Sequence, residues 1–214
     1  MKTLIQQDAW ARREHFAFFG RMSSPMHSLT TQVPCEPAYR YCREHGISFF
    51  LHYLHQTLIA VNACDNLRYR IEGDQVVQYD RIHANTTIGR PDHSFGFCPV
   101  QFDPDFQQFR AYAEPAMQAV IGASGLCFNE ECQRQDVIHF SAIPWVAFEG
   151  LTHAHHSGFP DSVPKVSVGK LHQRDGKLVL PVATFAHHGL ADAYHIHQFL
   201  ERLEYGLNHP PCLT

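Results

Sequence analysis

Nowhere does this 214-residue chain run to about 18 consecutive apolar residues, so no segment reads as a membrane-spanning helix. The opening, Met1-Lys-Thr-Leu-Ile-Gln-Gln-Asp8, lacks the apolar stretch of a secretory signal, and the expectation is a protein that stays in the cytoplasm. Lys and Arg number 17 against 21 Asp and Glu, and they form no dense basic run that could track a phosphate backbone. Nucleic acid is therefore not an expected partner. There is no C-x-x-C pair; the seven cysteines (Cys35, Cys42, Cys64, Cys98, Cys127, Cys132 and Cys212) are odd in number and irregularly spaced, which suits reduced thiols better than zinc or a disulfide framework. Neither G-x-G-x-x-G nor the phosphate-loop pattern G-x-x-x-x-G-K-[ST] occurs, so those nucleotide-binding turns are excluded. Repeats, low-complexity tracts and Pro/Ser linkers are missing too, and residues 1–214 read as one domain.

What remains is an ordinary globular composition, 44% apolar and 18% charged, with an unusual 17 histidines. Asp8 is a candidate N-cap for a helix from about Ala9 to Phe19, with Trp10, Phe16 and Phe19 as its apolar stripe. Ser48–Cys64 predicts a longer helix with Phe50, Leu54, Leu58 and Val61 on one side. The period then changes: Leu67–Glu72, a Gly73-Asp74 turn and Gln75–Asp80 alternate as a hairpin. Pro104 suits a helix N1 position behind an Asp103 cap, and Pro115 predicts a break or kink inside that helix. Strand-like runs follow at Val137–Ile143, Val163–Leu171 and Lys177–Ala186. A last amphipathic helix, about Asp192–Tyr205, carries Ile196, Phe199, Leu200 and Leu203 on its buried side. Helices before, between and after antiparallel-looking strands predict an α+β fold, one sheet covered by helices, rather than a doubly wound α/β one.

With so many histidines, each must be judged by its company. His187-His188 sits where a buried strand gives way to the last helix, a junction that fixes a side chain while leaving it open to a cleft. An imidazole there can take a proton from an alcohol and return it near neutral pH. By contrast, the i, i+2, i+3 spacing of His153-Ala-His155-His156 matches no standard zinc pattern, so it reads as a solvated loop and no metal is expected.

The segment His187-His188-x-x-x-Asp192 resembles the H-H-x-x-x-D-G motif of the chloramphenicol acetyltransferase family, and other motifs agree in order and spacing. Trp10-Ala-Arg12-Arg13-Glu14-His15-Phe16 is similar to its W-x-R-[RK]-E-H-F, Ser28-Leu29-Thr30 to its S-L-T, and Ser141-Ala142-Ile143-Pro144-Trp145 to its S-A-[LI]-P-W. Ser167-Val168-Gly169-Lys170 fits the strand before the histidine pair, and the match runs from about residue 8 to 206. The resemblance implies a mixed, largely antiparallel sheet covered by helices, and acetyl transfer from acetyl-CoA to a hydroxyl of chloramphenicol or a similar molecule. It implies His188 as general base, Ser141 as oxyanion donor, and Ser167 where the family has a threonine near the same oxyanion. An Arg12–Asp192 pair would hold the loop that bears the base. Trp145 and Lys170 would contact CoA, and Phe19, His27, Phe95, Phe97 and Phe128 would line the acceptor pocket.

Several positions depart from the pattern. Phe19 stands for a tyrosine, His27 for a phenylalanine, Phe97 for a small residue, and Ala193 for the motif glycine. Glycine often marks a backbone that other residues adopt at a cost. Because one such motif supplies a base on only one edge of a sheet, the active unit is expected to be a homotrimer with sites between subunits. Rival readings are acylation of another hydroxyl or of a thiol, and binding of an antibiotic or amphiphile without turnover.

Overall fold

The computed structural model describes residues 1–154 and 161–210. Its elements are β1 (Lys2–Leu4), α1 (Arg13–Phe19), β2 (Met26–Pro34), α2 (Glu36–His45), α3 (Phe49–Asn62), α4 (Asp65–Arg68), β3 (Tyr69–Glu72), β4 (Gln75–Tyr79), β5 (His83–Gly89) and β6 (Phe95–Val100). These are followed by α5 (Phe106–Gly122), β7 (Val137–Ala142), β8 (Lys165–Val168), β9 (His172–Arg174), β10 (Lys177–His187) and α6 (Ala193–Asn208). The hairpin β3–β4 turns on Gly73, whose φ of 58° favours glycine, and joins β1 in a small three-stranded sheet. The main sheet has seven strands in the order β2-β10-β8-β7-β5-β6, with β9 paired to β10. It is parallel at β5–β7 and β7–β8 and antiparallel elsewhere. The fold is α+β, as expected.

Strand alternation separates two faces of that sheet. One carries Ala84, Ile88, Cys98, Val100, Ile138, Phe140, Val166, Val168 and Val182, and packs against Leu54 and Leu58 of α3, Phe109 and Ala113 of α5, and Ile196, Phe199 and Leu203 of α6. Burial of this kind, roughly 25 cal/mol per Å² of apolar surface, is the main force holding the helices on. The register puts Phe97, Thr87, Ser141, Ser167, Ala183 and Thr30 on the opposite face. There a smaller cluster of Phe148, Ala183 and Phe185, flanked by Met26, Ile143 and Leu151, covers part of the strands. The fully buried Arg70 guanidinium donates to the carbonyls of Leu67, Tyr69, Gln135 and Val137, tying the hairpin to the foot of β7.

Several expected boundaries move. Asp8 lies in a short 3₁₀ turn, Gln7–Ala9, and α1 starts only at Arg13. Its stripe covers no core: Trp10 packs on Phe16 and Tyr69, while Phe16 and Phe19 meet the histidine pair. Leu67 ends up in the one-turn helix α4 rather than in the hairpin strand. The cap of α5 is Asp105, which accepts from the Gln108 amide, two residues beyond the Asp103 expected. That helix also runs past Pro115 without ending; a single proline removes one donor, and Phe109, Ala113, Met117 and Val120 bury on either side of it. Strands β1, β2, β5 and β6 and helix α2 have no counterpart among the expected elements. Among the described residues no helix is long and apolar enough to cross a membrane, and the six described cysteines are free; Cys212 lies outside them.

Candidate active site

Where β10 ends, its last residue organises a tight turn. The amides of Leu190 and Ala191 both donate to the His187 carbonyl, at 2.9 and 3.0 Å, and the Gly189 amide donates to His187 Nδ1 at 3.1 Å. A side chain on Gly189 would press on the Phe16 backbone and the His187 ring, both 3.1 Å from its Cβ. His187 is therefore a buried structural acceptor, and burial holds its pKa down at about 4. Its neighbour has different company. The His188 amide donates to Pro25 O at 2.8 Å, and the imidazole is sandwiched between Phe19 (3.9 Å, 5° between planes) and His27 (4.2 Å, 26°). Of its two nitrogens, Nδ1 is buried without a hydrogen-bond partner. A neutral ring with the hydrogen on Nδ1 leaves Nε2 as the proton acceptor.

Arg12 pins this turn from below. Its guanidinium donates to the His188 carbonyl at 3.0 Å, the Gly189 carbonyl at 3.3 Å and Asp192 Oδ2 at 2.8 Å. Asp192 is in turn the N-cap of α6: its Oδ1 accepts from the Tyr194 amide at 3.0 Å, and His195 Nδ1 takes the Asp192 amide at 3.1 Å in a reciprocal capping box. Burial works against a charged Asp192, but Arg12, His195 and the Tyr194 amide outweigh it and hold the carboxyl at about 2. Asp192 thus grips the loop through Arg12 and caps α6. Ala193 is the first residue of α6 and has no positive φ, so a glycine is not required there; the departure at this position is geometrically neutral.

A second set of groups lies on the helix-free face of the sheet. Ser141 on β7 pairs in register with Ser167 on β8, and Ser141 Oγ lies 3.3 Å from Thr87 Oγ1 on β5. Ser167 is fully buried, with Oγ 3.0 Å from His153 Nε2. Beyond Ser141 the chain leaves the sheet through Pro144 and Trp145, and the Lys170 amide donates to Val146 O at 2.9 Å. This brings Trp145, 75% exposed, and the exposed Lys170 to the same edge. Trp145 also borders a cleft of about 580 Å³ between the N-terminus of α3, the outer side of α5 and the ends of β5 and β7, lined by Ser48, Phe50, Thr87, Met117, Ile121 and Ala142 among others.

This arrangement can be set beside known proteins. The family model for chloramphenicol acetyltransferase matches residues 1–204, nearly the whole chain. The chain belongs to the chloramphenicol acetyltransferase family. It is 25% identical over 197 residues to chloramphenicol acetyltransferase 3 of Escherichia coli (91% of this chain, 92% of that protein) and 26% identical over 212 residues to the enzyme of Streptomyces acrimycini (98% and 96%). A solved chloramphenicol acetyltransferase superposes with a TM-score of 0.91 at 31% identity, covering 97% of this chain and all of the other. A probable dihydrolipoamide acetyltransferase from Listeria monocytogenes shares the fold at a TM-score of 0.65 and 13% identity.

Family residues expected to meet are only partly brought together within one chain. Phe19 and His27 flank His188 at the β2–β10 side of the sheet. Phe95, Phe97 and Phe128 form an edge-to-face row on the opposite edge, at β6. Four strand spacings separate β10 from β6, roughly 19 Å. Ser141 aligns through Ser167 with Ala183, five residues before His188 on β10, which is roughly 17 Å along the strand. Sequence reasoning missed Thr87, Pro25 and His195, and took His153 as part of a loop. No local signal marks Thr87, because its pairing to Ser141 needs the β5–β7 register. His155 and His156, the rest of that histidine run, lie outside the described residues; among the described residues no group of three or more His, Cys, Asp or Glu could hold a metal.

Proposed function

We propose that this protein transfers an acetyl group from acetyl-CoA to a hydroxyl of chloramphenicol or a similar small molecule, with His188 Nε2 as general base. The observation that carries the reading is the stacked, backbone-pinned imidazole at the end of β10, in a chain whose family membership spans residues 1–204. The acceptor O–H proton passes to Nε2 as its oxygen bonds to the thioester carbonyl carbon. Ser141 Oγ donates to the resulting oxyanion. When that carbonyl re-forms, the C–S bond breaks and the histidine returns its proton to the thiolate. Arg12 and Asp192 touch no reacting atom in this scheme; they keep the turn from shifting, which matters because misplacing a base by about 1 Å can cost about 10²-fold. The thioester arm of CoA is assigned to the cleft bordered by Trp145, with the exposed Lys170 at the same sheet edge as a cation suited to phosphate.

The separation of His188 from Ser141 and from the Phe95–Phe97–Phe128 row supports a site shared between copies. A neighbouring subunit that sets its hydroxyl row opposite the base would complete the pocket, and a homotrimer provides three equivalent sites by cyclic symmetry. The cytoplasm is the compartment that suits its reduced thiols and its co-substrate. Thiol release from acetyl-CoA, assayed with chloramphenicol and a panel of unrelated alcohols, tests the chemistry: turnover with no alcohol would overturn it and favour binding without catalysis. Light scattering at micromolar concentration should give the mass of three chains, and a fully active monomer would overturn the shared site.

A further inference from the structure

The wall of the base contains one polar group that the reaction scheme leaves unused. His27 lies on β2 opposite Ala186, with its ring 4.2 Å from that of His188. Its Nε2 is 3.1 Å from the Ala191 carbonyl. A carbonyl only accepts, so Nε2 carries the ring hydrogen and Nδ1 carries a lone pair. Burial first, and the adjacent His188 second, push the His27 pKa down, outweighing the Ala191 bond, so the ring is neutral at pH 7 and keeps that lone pair. His188 Nδ1 is a buried atom with no partner; His27 is half-buried, and its Nδ1 makes no hydrogen bond among the described residues, so its lone pair is left uncommitted in the ring that stacks on His188. The other wall, Phe19, offers no hydrogen-bonding atom at all. The two rings that position the base are thus chemically unlike, one mute and one with a fixed acceptor.

From this asymmetry, and resting on the acetyl-transfer reading above, we infer that His27 is a specificity-determining residue: its Nδ1 accepts a hydrogen bond from a second O–H or N–H of the acceptor. The favoured substrate class is then a small molecule with another hydrogen-bond donor a few bonds from the acetylated hydroxyl, such as a diol or hydroxy-amide, over a plain mono-alcohol. The Ala191 bond fixes the imidazole before substrate arrives, so little side-chain freedom is lost on binding. The same bond sets the tautomer, and a preset acceptor discriminates against analogues that cannot donate to it.

The test uses the whole protein with acetyl-CoA and a matched pair, chloramphenicol, which carries a 1,3-diol, and 1-deoxychloramphenicol, which lacks the second hydroxyl. In the unaltered protein kcat/KM should favour the diol by about 3- to 10-fold, the worth of one hydrogen bond. His27→Phe keeps a stacked ring but no acceptor and should bring the ratio close to one, through loss on the diol. His27→Asn, which retains a side-chain carbonyl, should recover part of the preference, and thermal melts show whether each variant is folded. A ratio unchanged in folded His27→Phe overturns the inference, even if both rates fall together. An equal ratio in the unaltered protein overturns it as well, while leaving acetyl transfer standing; no turnover of either alcohol removes the acetyl-transfer reading and this inference with it.

Discussion

The turn at the end of β10 and the hydroxyl row at Ser141 are built on opposite plans. The His188 turn is supported from within the chain: Arg12 bonds to two of its carbonyls and to Asp192, Pro25 receives its amide, and two rings fix its imidazole. Around Ser141 the strand register fixes the side chain, but its nearest hydroxyl partner is a long 3.3 Å contact to Thr87, and the neighbouring Trp145 is 75% exposed. In the proposed scheme His188 is a general base, which must be held in one orientation, and the many bonds that converge on it suit that role. An oxyanion donor, the role proposed for Ser141, must keep a hydrogen available for a charge that appears only during reaction, and a weakly bonded hydroxyl suits it. The first region is complete in a single chain, whereas the second needs substrate and, in the proposed assembly, a neighbour.

The contrast is broken most strongly at the base. His188→Ala should lower turnover by about 10²–10⁴ without loss of the fold, because the backbone bonds to Arg12 and Pro25 survive. More than a tenth of the original kcat would show that His188 is not the base. Next comes the weakly bonded side: Ser141→Ala should cost about 10²–10³ in kcat with little change in KM. Mixing the two inactive variants, His188→Ala and Ser141→Ala, as refolded assemblies should restore part of the activity when the residues meet between chains, whereas a mixture as dead as its parents would place both in one chain.

Removing the internal support should act on stability as well as on rate. Arg12→Val strips a buried guanidinium from two carbonyls and takes the strongest cation from Asp192, which keeps the Tyr194 amide and His195; with Asp192 partly exposed, the loss should be about 1–3 kcal/mol. For a chain of this size that is roughly a 2–12 °C fall in Tm. Calorimetry that finds Tm unchanged while rate is lost would assign Asp192 a direct role at His188. Acid should act on stability as well. Burial holds His52, His139 and His187 at about 4, against an ordinary 6.5 in the unfolded chain. Between those values the unfolded chain binds protons that the folded one refuses, so stability is complete above pH 6.5 and declines as pH falls toward 4. Melts across pH 7 to 4.5 should therefore show a steady drop in Tm, and a flat profile would mean that these rings gain protons without unfolding.

Much of this was legible in the residues. The dense apolar run of α3, the Gly73 turn, the strands β7 and β10, and α6 with Ile196, Phe199 and Leu203 buried follow from local chemistry that acts within a few residues. Motif spacing pointed to the family, and with it to His188, Asp192 and Arg12. Boundaries were less legible where two candidates compete locally. Asp103 and Asp105 are both acceptable caps, and only the packing of Phe109 against the core selects the second. Pro115 reads as a breaker, yet tertiary burial on both sides of it carries the helix through.

The sequence by itself determined which side chains are chemically able to act, since an imidazole, a guanidinium and a hydroxyl keep their character wherever they are placed. The tertiary structure decided which of two adjacent histidines is the open one, because the bonds from Gly189, Leu190 and Ala191 consume His187 and turn His188 toward Phe19 and His27. It also decided that Arg12, 180 positions away, reaches Asp192, and that Ser141 lies about five residues along the sheet from the base instead of against it. These are contacts between segments remote in the chain. Their energies depend on a register and a turn that form only when the whole sheet does, so no local pattern can encode them.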